Sequence, residues 1–186
     1  MKKILGLIVA AALLFGTACQ KQLPATPPSS SLPESFADTP QDPSFLYDGN
    51  RLTLYMYAED EHYNLIEAEL PDPNIDLYDI LDMLREKYAS TEYFQNESFG
   101  PGGIGILEVN SLTRENETLI VDFKGETAPV IAVGSTLESC MLASVGATFI
   151  YNVRGLESLK LKVDGKPYES EHLTFGENEP YTPPRV

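Results

Sequence analysis

Apolar and polar positions alternate with period two from Arg51 to Ala58: Leu52, Leu54 and Met56 fall on one side, Thr53, Tyr55 and Tyr57 on the other. That is the pattern of a strand with one buried face. Glu59-Asp60-Glu61-His62 then reads as a turn, Tyr63 to Leu70 as a second strand, and Pro71-Asp72-Pro73-Asn74 as a break. From Asp76 to Tyr88 the period lengthens to that of a helix. Leu77, Ile80, Leu81, Leu84 and Tyr88 share one face, Asp79, Asp82 and Glu86 the other, and Asp76 suits the N-cap. Ile106 to Leu112 and Thr118 to Phe123 read as strands. Ser135-Thr136-Leu137-Glu138 has capping-box spacing and opens a second helix, with Leu137, Met141, Leu142, Val145, Thr148 and Phe149 on a broad face and Gly155 as its stop. Leu159, Leu161 and Val163 alternate with Lys160 and Lys162. Asp164-Gly165 is a hairpin signal, and Pro167 confines the returning strand to an edge.

This order predicts an α+β fold: a single compact domain in which two helices cover one face of a mixed sheet. The other face stays partly open. Alternation nominates Tyr55, Tyr57, Lys160 and Lys162 for that face as partner-binding residues. The folded domain is expected over residues 45–175, followed by a flexible tail at 176–186.

The first 44 residues have a different character. Lys2 and Lys3 precede an apolar stretch from Ile4 to Phe15, and small residues lead to Cys19. This is the layout of a secretory signal peptide over residues 1–18, too short to span a bilayer, which takes roughly 20 apolar residues. Residues 19–44 hold Pro24, Pro27, Pro28, Pro33, Pro40 and Pro43 with a Ser29-Ser30-Ser31 run, the composition of a disordered linker.

Charge narrows the partners. The formal net charge is −15, and between Glu59 and Glu97 the only basic residues are Arg85 and Lys87. Such a surface repels phosphate backbones and anionic lipid headgroups, so nucleic acid is excluded as a partner, and any membrane attachment must come from acyl chains.

Candidate chemistry is sparse. The two histidines, His62 and His172, fall in a turn and in the C-terminal region, which supports neither serine hydrolysis nor a multi-histidine zinc site. Glu59, Asp60, Glu61 and His62 are adjacent on a turn and fit no calcium loop. Gly100-Pro101-Gly102-Gly103-Ile104-Gly105 matches the dinucleotide-binding spacing, but a strand rather than a helix is expected to follow it. Cys140, on the second helix, reads as a buried, inert thiol. No catalytic residue, metal or cofactor is nominated.

Two resemblances add to this. Leu14-Phe15-Gly16-Thr17-Ala18-Cys19 resembles the lipobox of bacterial lipoproteins, with Gly16 where Leu is most frequent. The resemblance implies that Cys19 carries lipid, palmitate included, and anchors the chain outside the cytoplasm on the bacterial cell membrane. The order of Leu52-Thr53-Leu54-Tyr55-Met56-Tyr57, Val109-Asn110-Ser111, Leu119 to Phe123, Gly134 to Thr148, and Leu159 to Lys166 resembles the GerMN domain. GerMN domains occur in envelope lipoproteins of sporulation and spore germination. The resemblance implies a fold similar to ring-building motifs and a binding or assembly role, through an open sheet face, an edge strand or both, rather than catalysis. The alternative is an envelope enzyme or sensor acting on peptidoglycan or a small ligand. A pocket lined by ionisable groups with perturbed pKa values would favour that alternative.

Overall fold

The structure is a computed structural model. It describes Leu46 and residues 51–70, 75–100, 103–131 and 133–186. The chain divides into two units, Met1–Asp38 and Thr39–Val186, and every described residue belongs to the second. The signal peptide, Cys19 and the proline-rich linker lie outside the described residues.

β1 (Arg51–Tyr57) and β2 (Tyr63–Glu69) form an antiparallel ribbon in register from Arg51↔Glu69 to Tyr57↔Tyr63. Its turn is closed by Ala58 N–H donating to the His62 carbonyl, with Glu61 at φ 64°. A left-handed residue after a tight turn is a common three-residue hairpin connection. α1 spans Leu77–Ala89. Asp76 caps it by accepting from the Tyr78 and Asp79 amides, and Asp79 returns the bond to the Asp76 N–H, completing a capping box. Its buried face is the expected one: Leu77, Ile80, Leu81, Leu84 and Tyr88.

The strand expected over Ile106 to Leu112 is two strands. β3 (Gly105–Ile106) pairs in parallel with β6 (Thr127–Ala128), and β4 (Val109–Glu115) pairs with β5 (Thr118–Phe123). The chain jogs at Leu107, which is wholly buried at φ 51°. Arg85 holds the jog, donating from Nε to the Ile106 carbonyl at 2.9 Å and from Nη2 to that of Leu107 at 3.2 Å. Alternation cannot reveal such a break, because its cause is a side chain from α1.

α2 spans Ser135–Asn152 and crosses from β6 to β7 (Ser158–Val163), which lies parallel to β5. β8 (Lys166–Pro167) completes a four-stranded mixed sheet in the order β4-β5-β7-β8, with Pro167 on its edge as expected. Asp164 (φ 49°) and Gly165 (φ 77°) make the two-residue β7–β8 turn. Both positions need left-handed backbone, which Gly adopts freely and Asp tolerates.

The molecule is thus an α+β single domain, but its strands do not make one sheet. The ribbon, the β3–β6 pair and the four-stranded sheet are separate. The reason lies at β1, whose second edge is occupied by α2 side chains instead of a strand.

Two further expectations are corrected. The Ser135–Glu138 capping box does not form: Gly134 is the N-cap and makes no side-chain cap bond. Glu138 turns inward instead, fully buried, and accepts from the Tyr168 hydroxyl at 2.6 Å. The C-terminal residues are not a loose tail. Tyr181 exchanges two backbone hydrogen bonds with Leu159, and Pro183 is buried against α2 at Gly146. A Cβ on Gly146 would sit 3.1 Å from three Pro183 ring atoms, so the glycine makes room for the proline.

Candidate interaction face

The ribbon has two faces with opposite character. Leu52 and Leu54 of β1 are buried in the core. Tyr55 and Tyr57 point the other way, as their alternation requires, and are half-buried. They do not stand alone. Hairpin register brings in Tyr63, whose ring lies 4.8 Å from that of Tyr57 and 6.0 Å from that of Tyr55. α2 contributes Tyr151, 5.1 Å from Tyr55. Tyr151 is 39% exposed, and Leu65 on the same strand face as Tyr63 is 54% exposed. The result is a surface of four tyrosine rings with an aliphatic side chain beside it.

Burial raises the hydroxyl pKa of Tyr55, with Tyr151 adding to it, and raises that of Tyr63 further, with Tyr57 and Tyr151 adding. Both therefore stay neutral well above physiological pH. Tyr63 uses its hydroxyl to donate to the Pro184 carbonyl at 3.0 Å, fastening the C-terminal segment beside the face. Neutral tyrosines combine a large apolar body with a polar tip, the composition enriched at protein interfaces.

Two clefts flank the end of β1. One, of about 590 Å³, lies between the β1–β2 turn, α2 and the C-terminal segment, with Glu59, Glu61, Leu142, Phe175, Tyr181 and Pro183 among its walls. The other, of about 400 Å³, is floored by Met56, Ile66, Tyr88, Tyr93 and Phe94, with Lys87 at its side. Cys140 borders both and is 4% exposed. Burial pushes its thiol pKa up, and Glu59 adds to the effect, so the sulfur stays protonated and is a poor nucleophile. Among the described residues no three His, Cys, Asp or Glu side chains are grouped to hold a metal ion. Nor is any described helix long and apolar enough to cross a membrane.

The nominated lysines are elsewhere. Lys160 and Lys162 lie on β7 in the four-stranded sheet, whereas Tyr55 and Tyr57 lie on the ribbon. Lys160 Nζ donates to Asn178 at 3.0 Å, and Lys162 stands opposite Asp122 across the parallel pair. The four residues do not form one face, because the two sheets that carry them are distinct.

Sequence reasoning missed Tyr63, Leu65 and Tyr151. Tyr63 and Leu65 follow once the hairpin register is known. Tyr151 needs α2 placed on β1, and a signal for that placement exists. Ser144, Thr148 and Asn152 repeat every fourth residue, making a polar stripe along the otherwise apolar part of the helix from Cys140 onward. All three are buried and bond to β1: they accept from the N–H groups of Tyr57 at 2.8 Å, Tyr55 at 3.1 Å and Thr53 at 2.9 Å respectively.

No protein-family model matches the chain, and no curated protein matches it. Two solved structures are similar to it. One is a provisionally named lipoprotein from Clostridium perfringens, at 14% identity over 71% of this chain and 86% of that one, with a TM-score of 0.38. The other is the first GerMN domain of the sporulation protein GerM from Bacillus subtilis, at 18% identity over 62% of this chain and 84% of that one, with a TM-score of 0.40. At these scores the likenesses carry no functional argument.

Proposed function

We propose that this chain is a lipid-anchored, non-catalytic binding or assembly module of the bacterial cell envelope, working in sporulation or spore germination. The observation that carries the binding role is the cluster of four tyrosine rings, half-buried on the ribbon and exposed at Tyr151 of α2, with exposed Leu65 beside it, since apolar patches beside polar groups mark interaction sites. The order of GerMN-like motifs from Leu52 to Lys166 supports the setting, and the lipobox-like run ending in Cys19 supports the anchor. The burial of Cys140, which pushes its thiol pKa up, weighs against a thiol enzyme.

Two experiments test this reading. Co-purification of partners after crosslinking in sporulating and growing cells should be lost in a Tyr55→Ala/Tyr57→Ala variant whose circular dichroism is unchanged. Undiminished capture sinks the tyrosine face. Mass spectrometry should find acyl mass on Cys19, and Cys19→Ala should release the protein from membranes. An unmodified Cys19 removes the anchor.

A second reading, a small-ligand sensor, draws on the 590 Å³ cleft, a volume within the range of ligand sites. A wild-type partner interaction that persists when Ser139→Trp, at an exposed cleft residue, fills this cleft would set that reading aside.

A further inference from the structure

The ribbon is closed along one edge and open along the other. Thr53, Tyr55 and Tyr57 aim their N–H groups at α2, so Leu52, Leu54 and Met56 bond across to Ala68, Ile66 and Asn64. Antiparallel geometry then turns the backbone N–H and C=O groups of Tyr63, Leu65, Glu67 and Glu69 outward. Among the described residues none of these outward groups has a backbone partner beyond the ribbon. An unpaired edge of this kind is a template for another strand, and folded chains usually blunt or cover it.

The side chains on either side say what would fit. On one face Glu67 and Glu69 follow Leu65, and the β1–β2 turn adds Glu59, Asp60 and Glu61. Among the described residues the sole cation paired there is Arg51, 4.0 Å from Glu67, with both side chains more than 60% exposed. An ion pair so exposed is worth little and is readily exchanged. On the other face Asn64 and Ile66 border the apolar cleft floored by Met56, Tyr93 and Phe94. Strand addition works through this combination: main-chain bonds give affinity, and pockets for alternate side chains give specificity. A second copy is a poor occupant, since it brings a formal charge of −15 to an acidic edge.

We propose that the outer edge of β2 accepts an extended basic segment of a different protein as an added strand. Its Lys or Arg side chains lie opposite Glu67 and Glu69, and its alternate apolar side chains enter the Met56–Ile66 cleft. This rests on the proposed binding role of the ribbon and deepens it: the partner's chain lies along the backbone edge, beside the tyrosine rings.

The probe is a labelled synthetic peptide of alternating lysine and valine, titrated against the full chain in detergent, with a glutamate–valine peptide as control. The basic peptide should bind saturably, at least about tenfold tighter than the acidic one. It should slow hydrogen exchange at the Leu65 and Glu67 amides and leave those of Thr53 and Tyr55 unchanged. Leu65→Pro removes an outward N–H without touching the β1 ladder and should weaken binding about tenfold. Glu67→Lys with Glu69→Lys should reverse the charge preference. Failure of the basic peptide to bind, or binding without protection of Leu65 and Glu67, overturns the proposal whether or not a variant folds. Loss of binding in Tyr55→Ala/Tyr57→Ala but not in Leu65→Pro overturns the edge and leaves the tyrosine face standing. Loss in Leu65→Pro with binding intact in Tyr55→Ala/Tyr57→Ala upholds the edge and shows that the peptide does not need the tyrosine rings.

Discussion

The two edges of the β1–β2 ribbon face the same problem, a row of backbone groups with no neighbouring strand, and are treated differently. At β1 three side chains of α2 supply the missing acceptors, and Asn152 also donates to the Thr53 carbonyl at 2.7 Å. At β2 nothing among the described residues does so, and Leu65 is left 54% exposed. The closed edge is bound to the core through Ser144, which also accepts from the Tyr88 hydroxyl of α1 at 2.8 Å. One edge therefore serves stability, and the other is, among the described residues, left without a neighbouring strand. Substitutions that cost stability should cluster on the first, and those that cost only binding on the second.

The largest effect should come from breaking the closed edge. Asn152→Leu leaves Thr53 with an unpaired N–H and C=O and should lower unfolding free energy by about 2–3 kcal/mol in urea titrations. A loss below about 0.5 kcal/mol would mean that the α2 stripe does not hold β1.

Alkali should reach the same edge through Tyr88. Burial raises its pKa above the ordinary value, partly offset by the bond to Ser144. The folded state then keeps a proton that the unfolded state gives up, so the contribution is complete below about pH 10 and is lost as pH rises further. Relative to Tyr88→Phe, wild-type stability should fall more steeply above about pH 10, by up to about 1.4 kcal/mol per pH unit. Parallel curves for the two proteins would remove Tyr88 from the account.

Thr148→Val keeps the shape and deletes one acceptor, for Tyr55 N–H, and should cost about 1 kcal/mol by the same titration. The smallest effect belongs to the open edge: Glu67→Lys should change stability by less than about 0.5 kcal/mol, because its side chain is 77% exposed and its partner pair is loose. A larger loss would show that this edge, too, is structural.

What was legible in the chain follows from how far each cause lies from its effect. Asp76, Asp79 and the apolar face of α1 are local, and α1 begins where they place it. Asp164-Gly165 is equally local, and its turn forms. Ser135 and Glu138 carry a local signal that a distant residue overrides: Tyr168, 30 residues on, draws the carboxylate inward. The Ser144–Thr148–Asn152 stripe is visible as a spacing, but its partners lie 87 to 99 residues upstream. The prolines near the C-terminus read as a loose tail because nothing near them in sequence reveals that Gly146 leaves space for Pro183. Of the candidate face, alternation shows Tyr55 and Tyr57, while Tyr63 and Tyr151 need the tertiary register, and Lys160 and Lys162 belong to another sheet.

The most direct test of the open side as the binding side is site-directed photocrosslinking in cells. A photoreactive side chain is placed at Tyr55 or Leu65 on the ribbon, and for comparison at Thr113, an exposed residue on β4. The account predicts partner adducts from positions 55 and 65 and none from 113. Adducts from 113 with none from 55 and 65 would contradict it.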